Sequence, residues 1–192
     1  MRLTRIITAT ALVIASLAAV TGISGAVARK TDTRAQKIER GRYLATTMGC
    51  NDCHTPGMFY GAPDFARQLS GSELGWSGPW GVSFARNLTP HAQTGIGGWS
   101  EAQIVNALRT GVRPDGSTLL PPMPWPNYAL LTDADAYAIA AFLKSLPAVE
   151  HHVPAVVPPG TAYAGVQLVF PPPPAWDAPR PTSSDHAASG SR

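Results

Sequence analysis

The chain has 192 residues, of which 44% are hydrophobic and 14% are charged, and its formal net charge at pH 7 is +3. This length suits one domain with a modest core, and so weak a charge argues against a nucleic acid as partner.

Residues 1–28 have the composition of an export signal. Arg2 and Arg5 precede a run without charged residues, and Ala26-Val27-Ala28 is a small-residue cleavage site. The run is long enough to cross a bilayer, so an uncleaved membrane anchor is the alternative. We expect cleavage and export to the periplasm. Cleavage takes Arg2 and Arg5 from the 15 basic residues and leaves 13 against 12 acidic ones, so the mature chain is nearly neutral.

A first helix is predicted from about Thr33 to Met48, with Asp32 as its N-cap. Its inner face is marked by apolar and small residues at helical spacing, namely Ile38, Gly41, Ala45 and Met48. Gly49 ends the helix.

The pentapeptide Cys50-Asn51-Asp52-Cys53-His54 follows at once and contains both cysteines of the chain. This C-x-x-C-H spacing is the attachment signature of a c-type haem. Two thiols one helical turn apart can each add across one vinyl group of the haem, and the adjacent histidine supplies an axial nitrogen. A redox dithiol does not require the histidine, and a zinc site would need further clustered ligands. The motif therefore predicts one covalently attached haem c.

Two further helices are predicted downstream. Ser100 and Gln103 form a capping box at the start of one, which Gly111 ends. Thr132 begins the other, and Pro147 closes it. The glycine- and proline-rich residues 57–95 between the haem motif and these helices show little periodicity, and we expect them to form loops.

The second axial ligand is best assigned to Met123. It lies in Pro121-Pro122-Met123-Pro124-Trp125-Pro126, where the prolines stiffen the loop that would hold a weak thioether ligand. Met48 and Met58 are too near His54 in sequence to reach the opposite haem face. The alternatives to Met123 are His91, His151 and His152.

The chain changes character at about Glu150, where a proline-rich tail begins. We therefore divide it into a signal over residues 1–28, a haem domain over residues 29–149 and a tail over residues 150–192. Within the tail, residues 163–170 are apolar enough to pack as a short strand, and disorder is the alternative.

This order of elements resembles that of the class I c-type cytochromes over residues 33–149. Three shorter motifs are similar to those of a bacterial subgroup that includes cytochrome c subunits of membrane-bound alcohol and gluconate dehydrogenases. They are Asn87-Leu88-Thr89-Pro90, Thr94-Gly95-Ile96-Gly97-Gly98-Trp99 and Pro122-Met123-Pro124-Trp125. The resemblance implies an all-α, cytochrome c-like fold, with three main helices and long loops around one haem. It also implies that Gly41 packs near Phe142 or Leu143, and that the Trp99 indole faces a haem propionate.

These residues predict a periplasmic one-electron carrier with His54 and Met123 as iron ligands and no catalytic residues. The alternative is an electron-transfer subunit bound permanently to a membrane-bound dehydrogenase or oxidase. A haem enzyme or gas-binding protein is a third reading, which would need an open iron position. The expected partners are membrane-associated redox proteins, with neither a small-molecule substrate nor a nucleic acid.

Overall fold

A computed structural model describes residues 32–171, and residues 33–171 belong to one compact unit. The predicted signal lies outside the described residues. The architecture is mainly helical, as predicted, with five helices: α1 Arg34–Thr47, α2 Cys50–His54, α3 Glu101–Thr110, α4 Trp125–Tyr128 and α5 Asp133–Ser145. No helix in the described part of the chain has the length and apolarity to cross a membrane.

Side-chain caps define where the three long helices begin. Ser100 and Gln103 form the predicted capping box of α3, and Thr132 caps α5 by accepting from the Asp135 N–H. The N-cap prediction for α1 was off by one residue. Thr33, not Asp32, is its N-cap and forms a capping box with Gln36. The Thr33 hydroxyl oxygen accepts from the Gln36 N–H, and the Gln36 side-chain oxygen accepts from the Thr33 N–H. The sequence spacing permits this capping box as readily as a cap at Asp32.

The core forms where α1 packs against α5 and α3 packs against α5. Gly41 lies where α1 meets α5, as expected, because it permits the backbone of α1 to approach Ala138 and Phe142 of α5. Full burial of a residue such as Ile139 or Leu143 stabilises the fold by about 1.5–3 kcal/mol. The buried apolar residues of this cluster are Leu44, Ala45, Leu69, Ile96, Ile104, Val105, Ala136, Ile139, Ala140, Phe142 and Leu143.

A small three-stranded sheet has two strands in the region that was expected to form loops, and its third strand lies within residues 163–170, where a short strand was predicted. Its strands are β1 Gly75–Gly78, β2 Gly81–Phe84 and β3 Gln167–Val169, in the order β2-β1-β3. β1 and β2 form an antiparallel hairpin, and β3 runs parallel to β1. Four-residue strands containing several glycines give too little alternation to be recognised from sequence.

Residues 151–170, here called the C-terminal strap, lie against the loops that precede α3. His151 is buried, Val157 forms an isolated antiparallel bridge with Val82, and β3 completes the sheet. The Tyr163 ring packs edge-on against Phe84 at 5.5 Å between centroids. The strap is thus built into the same compact unit as the helices.

Candidate haem site

The haem-attachment motif forms its own short helix. Gly49 adopts φ 75°, the left-handed conformation that glycine accepts without strain, and this turn separates α1 from α2. Cys50 and Cys53 then lie one turn apart on α2, both half-buried and both free thiols. The tertiary structure therefore keeps the spacing that attachment to two vinyl groups requires.

The surroundings of the two cysteines disfavour the thiolate form. Burial raises the pKa of Cys50 to about 11 and also raises the pKa of Cys53. A redox-active dithiol normally has a lowered thiol pKa, so these surroundings disfavour the dithiol interpretation of the motif.

The imidazole of His54 is held in one orientation. The side chain is buried, and its Nδ1 lies 2.7 Å from the main-chain oxygen of Arg86. Since a carbonyl oxygen only accepts, Nδ1 carries the proton and Nε2 presents its lone pair. Burial lowers the pKa of His54, although the bond to Arg86 opposes this, and the ring is therefore neutral at neutral pH. A neutral, oriented imidazole is the form that binds iron.

A buried polar network fixes α2 to the loop that follows it. The Asn51 side-chain oxygen accepts hydrogen bonds from the Thr55 hydroxyl at 3.1 Å and from the Gln68 amide at 2.9 Å. The Thr55 hydroxyl oxygen in turn accepts from the Leu69 N–H at 3.1 Å. The Gly71 N–H donates to the His54 carbonyl at 2.7 Å. Asn51 and Thr55 were not singled out from the sequence, because only the fold reveals their partners.

Met123 lies at the end of the proline-rich turn and is half-buried. α4 follows, and its Tyr128 hydroxyl lies 3.4 Å from the Met48 carbonyl, two residues before Cys50. Burial, with the nearby Cys50 and Cys53, raises the pKa of Tyr128 to about 12. The segment carrying Met123 is therefore tied to the start of the haem motif.

The histidine alternatives to Met123 are engaged elsewhere. Both ring nitrogens of His151 have partners, Nδ1 at 2.9 Å from the Ser70 carbonyl and Nε2 at 2.6 Å from Glu73. His91 Nδ1 accepts from the Thr94 N–H at 3.2 Å. His152 is exposed on the surface. His151 therefore has no unbonded ring nitrogen, and Met123 stays the predicted second ligand.

Trp99 is half-buried against the core cluster. Its main chain is held by Lys144 of α5, whose ammonium donates to the Gly97 carbonyl at 2.7 Å and to the Trp99 carbonyl at 3.0 Å. The indole nitrogen forms no hydrogen bond with any described residue. Lys144 thus anchors the main chain at Trp99, and the indole N–H is unpaired among residues 32–171.

The residues present fit a c-type haem. The attachment thiols share one helical turn, and the adjacent imidazole is neutral with Nε2 unbonded in the described part of the chain. Cys50, Cys53 and His54 would hold the group, and Met123 is the residue predicted from the sequence to supply the second ligand.

Comparison with known proteins gives a matching family and several relatives. The family model described as cytochrome c matches residues 38–147. The alcohol dehydrogenase (quinone) cytochrome c subunit of Gluconobacter oxydans is 36% identical over 120 residues, which cover 62% of this chain and 23% of that protein. The fructose dehydrogenase cytochrome subunit of Gluconobacter japonicus is 34% identical over 147 residues, covering 76% of this chain and 29% of that protein.

The gluconate 2-dehydrogenase cytochrome c subunit of Pantoea cypripedii is a further relative. It is 37% identical over 105 residues, covering 55% of this chain and 22% of that protein. Aligned regions thus span about a quarter of the length of these three relatives.

Proposed function

Since the chain belongs to the cytochrome c family, we propose that it is an exported one-electron carrier with one covalently bound haem c. Cys50 and Cys53 attach the haem, and His54 and Met123 bind the iron. Trp99 donates its indole N–H to a haem propionate.

The observation that carries the proposal is the orientation of the His54 ring. A buried histidine with only a structural role normally pairs both ring nitrogens, as His151 does with Ser70 and Glu73. The Nδ1–H of His54 is committed to the Arg86 carbonyl, and Nε2 is left for a metal.

Haem bound at this position would supply one-electron chemistry, taking one electron from a donor and passing it to an acceptor. The chain contributes the ligands, the burial and the orientation. The core cluster around α1, α3 and α5 would exclude water from one side of the haem site. The polar network of Asn51 and Thr55 keeps α2 in place. No proton transfer is required of any side chain.

The single attachment motif supports one haem for this chain. Both cysteines of the sequence lie in C-x-x-C-H, so no second covalent haem has thiols to hold it. The mass of the matured protein should exceed that of its polypeptide by the mass of one haem. An excess of two haem masses would contradict the proposal.

A second candidate function is that of a permanent electron-transfer subunit of a dehydrogenase. The relatives support it, since they are cytochrome subunits of alcohol, fructose and gluconate dehydrogenases. Exposed aromatic side chains just after the haem motif, Phe59, Tyr60 and Phe65, offer such a partner an apolar contact. Purification of the native protein without detergent separates the two functions: a carrier elutes alone, whereas a subunit elutes with a dehydrogenase.

The test of electron transfer itself is spectroscopic. The reduced protein should show a c-type spectrum that carbon monoxide leaves unchanged, because both axial positions are filled. Rapid mixing with a reduced small-molecule donor should reduce one haem per chain. A spectrum that shifts fully with carbon monoxide would indicate an open iron position and favour the gas-binding or enzymatic alternative.

We also propose that residues 1–28 direct export to the periplasm and are removed by cleavage after Ala28. The mass of the mature protein tests this, because an uncleaved anchor would retain residues 1–28.

A further inference from the structure

We propose that the C-terminal strap is a positioning element for the axial histidine. Val153 and Pro154 of the strap hold the side chain of Arg86, and Arg86 holds the imidazole of His54 through its main-chain oxygen. The inference rests on the proposed role of His54 as an iron ligand, and it assigns to the strap an influence on the reduction potential.

The first link of this chain of contacts is the 2.7 Å bond from His54 Nδ1 to the Arg86 carbonyl. The carbonyl belongs to an irregular segment that directly follows β2, so no strand pairing fixes its direction. The next residue is anchored, since the Asn87 amide donates to the Val149 carbonyl at 2.8 Å. The preceding residue is also held, since the Ala85 carbonyl accepts from the Ser72 N–H at 3.0 Å. The Arg86 side chain adds a third hold on this segment, and this hold comes from the strap.

The second link joins Arg86 to the strap. Its Nη1 donates to the Pro154 carbonyl at 2.9 Å and to the Val153 carbonyl at 3.2 Å. Arg86 is half-buried, and within residues 32–171 it forms no ion pair. The two strap carbonyls are therefore its strong partners in the described structure, and a hydrogen bond from a cation is stronger than one from a neutral donor.

A third link joins His54 to the loop that contains Gly71. Gly71 donates its N–H to the His54 carbonyl at 2.7 Å and lies directly beneath the strap. A Cβ at Gly71 would lie 2.5 Å from Val153 Cγ2 and 2.8 Å from the Ala85 carbonyl oxygen. The strap is itself anchored beside this point by the His151 ring, which bonds the Ser70 carbonyl. Val153 thus contacts both residues that bond His54, namely Gly71 through its side chain and Arg86 through its carbonyl.

The chemical consequence has a definite sign. An Nδ1–H that donates to a carbonyl makes the imidazole a stronger electron donor, which favours ferric over ferrous iron. Loosening the Arg86 carbonyl should therefore raise the reduction potential. Loss of the positive charge of Arg86 would instead lower the reduction potential, because ferric iron is repelled by that charge more strongly than ferrous iron is. The two effects can be told apart by the direction of the change.

The test compares two shortened chains, both matured with haem. One ends after Val149 and lacks the whole strap; the control ends after Pro159 and keeps Val153 and Pro154 while losing β3. Both retain the charge of Arg86. The shorter chain should have a higher reduction potential than the full-length protein, and the control should match the full-length value. An unchanged or lower potential in the shorter chain overturns the proposal.

A matched pair at Arg86 gives a second test that does not depend on the shorter chain folding. Both strap bonds come from one nitrogen, so Arg86→Lys can keep them, whereas Arg86→Met keeps the length without a donor. The measured quantity is the solvent exchange rate of the His54 ring N–H in the reduced protein, followed by NMR. It should rise about fivefold or more in Arg86→Met and stay near wild type in Arg86→Lys. Equal exchange in both variants would overturn the proposal.

Failure of this inference differs from failure of the proposed function. If His54 were not an iron ligand, His54→Ala would retain the wild-type spectrum. If only the strap proposal is wrong, the wild-type protein remains a His-ligated cytochrome whose potential and ring exchange do not respond to these changes.

Discussion

The α-carbon of Gly41 faces the main-chain oxygen of Ala138 so closely that a Cβ built on Gly41 would lie 1.9 Å from that oxygen. The same Cβ would lie 2.8 Å from Phe142 Cβ. Because the obstacle is backbone and not the end of a flexible side chain, α1 and α5 can meet at this distance only with glycine. This contact fixes the spacing of the two helices that form most of the core.

Gly41→Ala should therefore destabilise the protein despite the better helix propensity of alanine. Propensity favours alanine by about 1 kcal/mol, while the required separation of the helices should leave a net loss of about 1–3 kcal/mol. Denaturant unfolding of the two proteins measures the difference. Gly98→Ala is the control, since nothing lies within 4 Å of a Cβ there, and its free energy of unfolding should change by less than about 0.5 kcal/mol.

The ion pair between Arg40 and Asp135 predicts a specific acid sensitivity. The Arg40 guanidinium donates to Asp135 at 2.9 Å, and this bond lowers the pKa of the carboxyl below its ordinary value of 3.8. A carboxyl with a lowered folded-state pKa stabilises the fold above its unfolded-state pKa, and this contribution is lost as the pH falls through the folded-state pKa.

Arg40→Gln should consequently lower stability at neutral pH and reduce the acid-induced loss of stability below about pH 4. Thermal unfolding at several pH values measures this. Lys37→Gln also removes one positive charge from α1 but breaks no ion pair among the described residues, so it is the matched control. Equal pH profiles for the two variants would contradict the role of the pair.

Replacement of either cysteine should expose the attachment chemistry. In Cys50→Ala or Cys53→Ala, one thioether bond is missing and one haem vinyl group stays unsaturated. The pyridine haemochrome spectrum should then shift to longer wavelength, and the yield of holoprotein should fall. Acid–acetone treatment should leave haem on the wild-type protein and on any single-cysteine holoprotein, and should extract it from the double variant. Extraction from the wild-type protein would show that the haem is not covalent.

Ligation by Met123 should give a higher reduction potential than ligation by a second histidine. The oxidised protein should show the weak near-infrared band of sulfur-to-iron ligation, and Met123→Ala should abolish it. Met123→His should keep six ligands on iron but lower the potential, because imidazole favours ferric iron more than a thioether does. Met58→Ala is the control and should leave the band in place. A band that persisted in Met123→Ala would exclude Met123 as the ligand.

The salt dependence of electron exchange should be weak. A chain cleaved after Ala28, as proposed, would carry 13 basic and 12 acidic residues, so long-range attraction should add little to the encounter rate. The exchange rate with a partner redox protein should change less than about tenfold between low and physiological ionic strength. A steeper fall would reveal a charged docking face that the net charge conceals.

Local signals in the sequence determined the identity of this protein and most of its helices. C-x-x-C-H requires only neighbouring residues, and the caps at Ser100 and Thr132 act within one turn, so both were readable without a fold. Helical spacing placed Gly41 on the inner face of α1, the family resemblance implied its partner on α5, and the structure confirms the contact. Met123, chosen for its proline-rich loop, and Trp99, implied by the resemblance, remain predictions.

Hydrogen bonds to main-chain partners in distant segments were decided by the tertiary structure alone. The acceptor for the His54 ring is a main-chain oxygen, which every residue possesses, so nothing in the letters marks Arg86 for this role. The hydrogen bonds of Arg86 to the strap likewise end on carbonyl oxygens 67 and 68 residues away. Side chains and short-range spacing carry a signature in sequence, whereas a main-chain partner acquires its meaning only when folding brings it into position.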